Sequence, residues 1–325
     1  MTRRGNWLAD CSSIWDCGTE APDVSRRSVT QFRLTNLMIV NFGSLNIDHV
    51  YHVDHFARPG ETIASTSYSR YCGGKGLNQS IALARAGANV VHAGRVGSDG
   101  DMLCDRLREC GVDVRLIQCG DVPTGHAIIQ VTPGGENCII IEGGANRAIG
   151  AHQITQVLSA LNDGDWLLLQ NEISSLNAIF EQCSDRVNLA FNPAPMTRDV
   201  RDLDLGRVHT LFVNEVEGAQ LSRENDPREI VRALLQAYPR CRIVLTRGTE
   251  GAVYADLQSV VEQEAFPVAP VDTTAAGDTF IGFYLAAMAS GVEPEEALRI
   301  GCKAASISVT RHGAADSIPD RSEVQ

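Results

Sequence analysis

The chain has 325 residues, of which 44% are hydrophobic and 21% charged, a composition typical of a folded protein large enough to be an enzyme. Its 28 basic residues against 40 acidic ones give a formal charge of -12, so the long-range field repels nucleic acid and anionic membranes. These values exclude a disordered chain and a small disulfide-stabilised module, and they predict that an anionic ligand must be captured by local groups.

The ten cysteines are spread along the chain, and no two of them form the Cys-x-x-Cys pair of a zinc or redox site. We therefore expect reduced thiols. The sequence shows neither a secretory leader nor an apolar run long enough to cross a bilayer, which predicts a cytoplasmic protein that has no membrane partner.

The first 36 residues show no clean helical or strand period, and the first convincing strand begins at Met38. We expect residues 1–36 to be an extension outside the fold, either disordered or not native, with Met38 as a possible start. The folded domain is expected over residues 37–325.

From residue 72 onward, predicted strands alternate with amphipathic helices. The strands are expected at 88–94, 166–170, 187–191, 242–246 and a run ending at Val213; the helices include 102–110, 229–238, 277–289 and 294–310. This alternation predicts an α/β fold with a doubly wound, mostly parallel sheet flanked by helices. Ligands of such sheets bind beyond the carboxyl ends of the strands.

Two segments, about 49–71 and 123–142, interrupt the alternation. The second is typical of a hairpin, with a turn at residues 133–136. Together they predict a small β-sheet that projects from the main domain and acts as a lid over a site beneath it.

The strongest motif is the stretch 271–280, Val-Asp-Thr-Thr-Ala-Ala-Gly-Asp-Thr-Phe, in which small residues open a helix. The backbone N–H groups of Ala275, Ala276 and Gly277 are suited to stabilising a transferring phosphoryl group. Asp278 beside them is suited to accepting a proton from an attacking hydroxyl. The alternative is an ordinary first-turn Asp that the helix dipole favours.

This stretch resembles the second signature of the ribokinase-like, phosphofructokinase-B type carbohydrate kinases. Further motifs similar to that family's follow in its order over about residues 38–322: 43–48, 73–79, 170–172, 192–195, 214–217, 246–251 and 311–314. The resemblance implies ATP-dependent phosphorylation of a sugar primary hydroxyl, with D-ribose the expected sugar. The alternatives are a nucleoside or other pentose or ketose kinase of the family and a non-catalytic sugar- or nucleotide-binding regulator.

The resemblance also implies a set of residues that bind the sugar. They are Asn46, Asp48, Gly74, Lys75, Asn78, Glu172 and Asp278. Paired carboxylate and amide groups are suited to bridging adjacent hydroxyls. The local alternatives are a strand-end turn at 46–48 and a flexible glycine turn at 73–76.

For the nucleotide, the resemblance implies contacts from Asn214, Thr246, Arg247, Gly248, Thr249, Glu250, Gly251 and Gly277. Glu217 is implied to bind Mg²⁺, through water because Mg²⁺ loses its hydration shell reluctantly. The alternatives are an N-cap with a capping-box Glu at 214–217 and a plain hairpin turn at 246–251. Arg247 departs from the family, where many members carry an apolar residue, and it either contacts phosphate or faces solvent.

Two further properties follow from the resemblance alone. An activating K⁺ is implied beside the anion hole, held largely by backbone carbonyls, at the positions Asp272, Thr274, Ser308, Arg311, Gly313 and Ser317. A homodimer is implied through the lid sheet, whose exposed strand edges a second copy can cover.

Overall fold

The computed structural model describes Thr2–Arg4 and residues 37–324. The strands are β1 (Thr2–Arg4), β2 (Met38–Phe42), β3 (Asn46–His52), β4 (Ser67–Gly73), β5 (Asn89–Val96), β6 (Asp113–Cys119), β7 (Gly125–Val131), β8 (Asn137–Glu142), β9 (Trp166–Gln170), β10 (Asn188–Asn192), β11 (Thr210–Asn214), β12 (Arg242–Thr246), β13 (Ala252–Ala255) and β14 (Val260–Gln263). The helices are α1 (Lys75–Arg85), α2 (Asp101–Glu109), α3 (Ala151–Ser159), α4 (Leu176–Gln182), α5 (Glu215–Ser222), α6 (Pro227–Ala237), α7 (Ala276–Ala289), α8 (Pro294–Ser308) and α9 (Arg321–Val324).

The larger sheet has the strand order β1-β14-β13-β12-β11-β10-β9-β2-β5-β6. Neighbouring strands are parallel from β6 to β12, and the strands from β12 to β1 pair antiparallel. One face packs against α1, α2, α7 and α8, and the other against α3, α4 and α6. This topology confirms the predicted α/β class with a mostly parallel sheet. Strands covered on both faces need apolar runs, such as the buried residues 166–169 of β9.

The smaller sheet has the order β4-β3-β7-β8. It joins the two segments that interrupt the alternation in the sequence, and β7 and β8 form the expected antiparallel hairpin. Every residue of β8 is exposed, including Ile139, Ile140 and Ile141. The smaller sheet therefore presents an apolar surface to solvent.

The structure departs from the sequence prediction at the edges of the large sheet. Thr2–Arg4 pairs with β14, Thr2 opposite Gln263, so these three residues do not lie outside the fold as expected for residues 1–36. The rest of that segment lies outside the described residues. The sequence also does not predict β6, whose residues are mostly half-buried and mixed in polarity, or β14, which has only four residues.

Close packing between α1 and α7 positions the candidate site. A Cβ on Gly282 would overlap the Ala82 side chain and would lie 2.8 Å from the Leu83 backbone nitrogen. Small residues at this crossing let the two helices approach each other closely. As a result, the first turns of α1 and α7 lie side by side, although about 200 residues separate them in sequence.

Candidate active site

The first turn of α7 carries the candidate base. Ala275, the N-cap, has a left-handed backbone conformation with φ of 59°, and no side chain of the described residues caps the helix. Asp278 is only 6% exposed. Among residues 2–4 and 37–324, nothing lies within 4 Å of a Cβ placed on Gly277, so these residues leave open space beside the start of the helix. An uncapped helix N-terminus facing open space is suited to binding an anion.

Two amides from α1 hold the Asp278 carboxylate. Gln79 donates from Nε2 to Oδ1 at 2.8 Å, and Asn78 donates from Nδ2 to Oδ2 at 3.1 Å. The Oδ1 atom of Asn78 is buried and has no hydrogen-bond partner among the described residues. It is therefore free to accept a hydrogen bond from a ligand.

Three carboxylates affect the charge of the Lys75 ammonium. Asp278 raises the pKa of Lys75, burial opposes this rise, and Glu172 and Glu217 add to it. Lys75 therefore carries its positive charge at neutral pH. A cation at this position balances the nearby carboxylates and can attract an anionic ligand.

Glu172 links the carboxyl end of β9 to the start of α1. Its Oε2 accepts hydrogen bonds from the Ser44 hydroxyl and from the backbone N–H of Lys75, the latter at 3.0 Å. Ser44 also accepts from the backbone N–H of Gly76 at 3.2 Å. The glutamate therefore fixes the turn that carries Lys75.

Asn46 and Asp48 lie on β3. Asn46 accepts from Nδ2 of Asn146 at 2.8 Å. Burial raises the pKa of Asp48 to about 7, and the nearby Glu172 charge adds to the rise. A Cβ on Gly73 would overlap the Asp48 carboxylate, so the glycine leaves room for this side chain.

A cavity of about 240 Å³ lies at the carboxyl ends of the central strands. Its lining includes eight of the predicted site residues: Lys75, Asn214, Glu217, Thr246, Ala275, Ala276, Gly277 and Asp278. The lining does not include the predicted sugar-binding residues Asn46, Asp48, Gly74, Asn78 and Glu172, or residues 247–251. Contacts through Asn78 and Lys75 connect the sugar-binding group to the cavity.

Asn214 and Glu217 form a capping box at the start of α5. Asn214 Oδ1 accepts from the Glu217 N–H at 2.8 Å, and Glu217 Oε2 accepts from the Asn214 N–H at 3.0 Å. Burial raises the pKa of Glu217 against the effect of the Asn214 hydrogen bond. The capping role, one of the two alternatives from the sequence, is therefore present. Both residues also line the cavity.

Arg247 is directed at carboxylates. Its guanidinium pairs with Glu250 and lies 4.0 Å from Glu215 and 3.9 Å from Glu262. The side chain is 20% exposed. Gly248–Glu250 is a 3₁₀ turn between the antiparallel strands β12 and β13, which confirms the hairpin expected here. The side chain therefore contacts carboxylates and does not face solvent, and the phosphate contact stays a prediction.

The predicted cation-binding positions come from two segments that meet beside the start of α7. Asp272 accepts from the backbone N–H of Thr274 at 2.9 Å and from that of Gly313 at 3.0 Å. Burial opposes ionisation of Asp272, but these hydrogen bonds outweigh it and hold its pKa below the ordinary value. Ser308 and Ser317 are fully buried, whereas the Arg311 side chain is directed to Glu323.

Several buried polar residues at the site are absent from the predicted set. Asn41, Ser44, Gln79, Asn146 and Gln170 are each at most 1% exposed. Ser44, Gln79 and Gln170 lie within the motifs that resemble the family, so the sequence could have indicated these three residues. Asn41 lies in a buried strand and Asn146 in a short 3₁₀ turn, so nothing in their local sequence marks them.

A second cavity, of about 690 Å³, lies away from these residues. Leu37, Phe283, Ile300 and Val324 are part of its lining, and no predicted site residue is. Within the described ranges, no helix is long and apolar enough to span a bilayer, and no group of three or more His, Cys, Asp or Glu side chains is arranged to hold a metal ion.

The model of the pfkB family of carbohydrate kinases matches residues 36–321. The chain belongs to this family. It is 34% identical to the ribokinase of Haemophilus influenzae, over 86% of this chain and 95% of the relative, and 34% identical to that of Bacillus subtilis, over 90% and 99%. The structure of Arabidopsis thaliana ribokinase complexed with ribose and ATP superposes with a TM-score of 0.80 at 29% identity, covering 89% of this chain and 97% of the other. The expected pfkB-family membership is confirmed.

Proposed function

We propose that the chain transfers the γ-phosphoryl group of ATP to the primary hydroxyl of D-ribose, forming ribose 5-phosphate. The observation that carries this proposal is the position of Asp278, which adjoins both the uncapped start of α7 and the polar residues of α1. Its carboxylate and the helix N-terminus face the same cavity. The resemblance to ribokinases over most of the chain supports ribose as the sugar.

In this mechanism, Asp278 accepts the proton of the sugar hydroxyl while the hydroxyl oxygen attacks the γ-phosphorus in line. The new P–O bond forms as the bond from phosphorus to the β-phosphate oxygen breaks, and ADP leaves. The N–H groups of Ala275, Ala276 and Gly277 stabilise the charge on the transferring group. No covalent enzyme intermediate is required.

We assign the sugar to Asn46, Asp48, Gly74, Lys75, Asn78 and Glu172. The Asn78 oxygen, which has no hydrogen-bond partner among the described residues, and the positive charge of Lys75 support this assignment, because an oxygen acceptor and an ammonium donor both suit sugar hydroxyls. The nucleotide is assigned to Asn214, Thr246 and Gly277, which line the cavity, and to the turn 247–251, which directly follows Thr246.

Two cations fit the residues present. Glu217 and Asn214 offer side-chain oxygens at the cavity, which suits Mg²⁺ bound through water, and bound Mg²⁺ neutralises phosphate charge. The segments that carry Asp272, Thr274, Ser308, Arg311, Gly313 and Ser317 are joined by hydrogen bonds from Val271 and Asp272 to the Val309 carbonyl. Their carbonyl, hydroxyl and carboxylate oxygens suit a hard monovalent cation such as K⁺.

The test is ADP release with ATP and Mg²⁺ across ribose, deoxyribose, fructose, adenosine and other nucleosides, each in K⁺ and in Na⁺. We expect turnover that is selective for ribose and stimulated by K⁺. Turnover on another substrate would contradict ribose as the substrate but would agree with the proposed phosphoryl-transfer mechanism. No turnover on any substrate would contradict a kinase and favour a regulator that only binds.

The raised pKa of Asp48 predicts that ribose affinity depends on pH. The ionised carboxylate is the better acceptor for sugar hydroxyls, and it is lost as pH falls through about 7. We expect the dissociation constant of ribose, measured by calorimetry, to rise about tenfold between pH 8 and pH 6. In Asp48→Asn, binding should be weaker and nearly independent of pH. Wild-type affinity that is constant or stronger at pH 6 would contradict this role.

We also propose that the smaller sheet is a lid and the interface of a homodimer. Support comes from Ile140 and Ile141, which are 62% and 61% exposed on β8, an edge strand. We expect light scattering to show a dimer and Ile140→Lys to weaken it strongly. Leu257→Lys, at an exposed residue outside this sheet, is the control and should remain dimeric. A wild-type protein that is only monomeric at working concentration would contradict the interface.

We propose the domain boundaries from the family match and the cellular compartment from the cysteines. We propose that residues 37–325 form the kinase domain, which agrees with the family match to 36–321. The eight cysteines in the described part of the chain are free, which supports the reducing environment of the cytoplasm.

A further inference from the structure

A chain of buried amides leads from the candidate base into the core. Gln79 donates to Asp278 Oδ1 at 2.8 Å, and its own Oε1 accepts from Gln170 Nε2 at 2.7 Å. Gln170 Nε2 also donates to Asn41 Oδ1 at 2.9 Å. All three amide side chains are 0% exposed. The base is therefore held by a connected network that solvent does not reach.

The network continues to a buried histidine. Asn41 donates from Nδ2 to the Gly76 carbonyl at 2.8 Å and to the Ser80 hydroxyl at 2.9 Å. Ser80 lies 2.7 Å from His92 Nδ1. Burial lowers the pKa of His92 to about 3, so its ring is neutral and Nδ1 can accept the Ser80 proton.

Groups that can only accept lie at both ends of the amide chain, and together they fix which atom of each amide donates. The Gly76 carbonyl can only accept, which turns the NH₂ group of Asn41 toward it and leaves Oδ1 of Asn41 to accept from Gln170. Gln170 must then present its NH₂ group to Oε1 of Gln79. The NH₂ group of Gln79 consequently faces Asp278, whose carboxylate also accepts only.

The local packing of Gln170 agrees with this direction. Its Oε1 is buried, has no hydrogen-bond partner in the described part of the chain, and lies against Gly43, where a Cβ would overlap it. The carbonyl end of the Gln170 amide therefore occupies space that Gly43 leaves open, while its NH₂ group donates to both neighbouring amides. A reversed Gln170 would place its oxygen against the oxygens of Asn41 and Gln79.

We propose that Gln79 is a positioning residue for Asp278 and that Gln170 and Asn41 fix the orientation in which it acts. This inference rests on the proposed function, in which Asp278 is the base. Asn78 holds the other carboxylate oxygen and is also assigned to the sugar, whereas Gln79 lies behind the base in the core. Loss of Gln79 should therefore disturb the chemical step more than sugar binding.

The test compares Gln79→Met with Gln153→Met. Methionine has a similar length and cannot donate a hydrogen bond. Gln153 is a matched control, because it is 2% exposed and donates to the Gly94 carbonyl away from the base. We expect Gln79→Met to lower kcat about tenfold to a hundredfold, the loss typical of one hydrogen bond to a charged group. Its ribose KM and calorimetric affinity should change less than about threefold.

Gln153→Met is expected to lower the Tm and to leave kcat unchanged. If Gln79→Met shows the same pattern, Gln79 is only structural and the proposal is overturned. Gln170→Met should reduce kcat less than Gln79→Met, because Asp278 still favours the donating orientation of Gln79. An equal or larger loss in Gln170→Met would contradict the proposed order of the network.

If Gln79→Met does not fold, Gln79→Leu replaces it, since leucine is apolar and cannot donate a hydrogen bond. The same fall in kcat at nearly constant ribose affinity is expected, and unchanged kcat would overturn the proposal. Wild-type protein that binds ribose without turnover would refute the proposed function and this inference together. Active wild-type protein with an unaffected Gln79→Met variant would refute only this inference.

Discussion

Replacing Asp278 with asparagine is expected to lower kcat by about a thousandfold, the middle of the range for loss of a general base. Asparagine keeps the size of the side chain but cannot accept the proton of the sugar hydroxyl. The variant also places an NH₂ group against the NH₂ group of Gln79 or of Asn78, both of which donate to the carboxylate in the wild type. One of these amides must therefore turn or lose its partner.

Ribose binding should survive this substitution, because most residues assigned to the sugar lie on β3, α1 and the turn after β9. Calorimetry with ribose and a coupled ADP assay measure the two properties separately. Asp165→Asn is the control: Asp165 is 5% exposed and accepts from the backbone nitrogens of Met38 and Asn162. We expect it to lose stability and to retain kcat. Unchanged turnover in Asp278→Asn would refute its assignment as the base.

Replacing Gly76 with alanine is expected to damage the site and the fold together. A Cβ at this position would overlap the Ser44 backbone nitrogen and would lie 2.7 Å from Gly43 Cα. Backbone atoms cannot move aside as a flexible side chain does, so the start of α1 must shift. That turn carries Lys75, Asn78 and Gln79.

We expect Gly76→Ala to lower the free energy of unfolding by about 3 kcal/mol, near the upper end for overpacking. A displacement of the sugar-binding turn by about 1 Å should reduce kcat/KM about a hundredfold. Gly150→Ala is the control, because a Cβ there would meet nothing within 4 Å. Denaturant unfolding and steady-state kinetics of both variants provide the measurements. Wild-type stability and kinetics in Gly76→Ala would show that the backbone accommodates the methyl group without moving the site.

The architecture was largely readable from the sequence. Apolar runs such as residues 166–169 predict strands that are buried on both faces, and their alternation with amphipathic helices predicts a parallel sheet. The smaller sheet was predicted because its segments break this alternation. The short strand β14 was not, since four residues carry too little pattern.

The candidate site was predictable where its residues fall within compact motifs. Gly277 and Asp278 lie in one helix turn, and Asn214 and Glu217 have the spacing of a capping box, which the structure contains. The environment of Arg247 was not predictable, because Glu262 reaches it only through the pairing of β13 with β14. Side-chain partners on different elements depend on strand register and helix packing, which a local pattern does not encode.

The sequence by itself determined the fold class, the membership of the carbohydrate kinase family and the order of the motifs along the chain. The tertiary structure decided which side chains meet. Gln79 and Asp278 are 199 residues apart, and Gln170 and Asn41 are 129 apart, yet each pair is joined by a buried hydrogen bond. Such pairs form only when α1 packs closely on α7 and β9 pairs with β2, because buried polar groups must find partners wherever the packed elements place them.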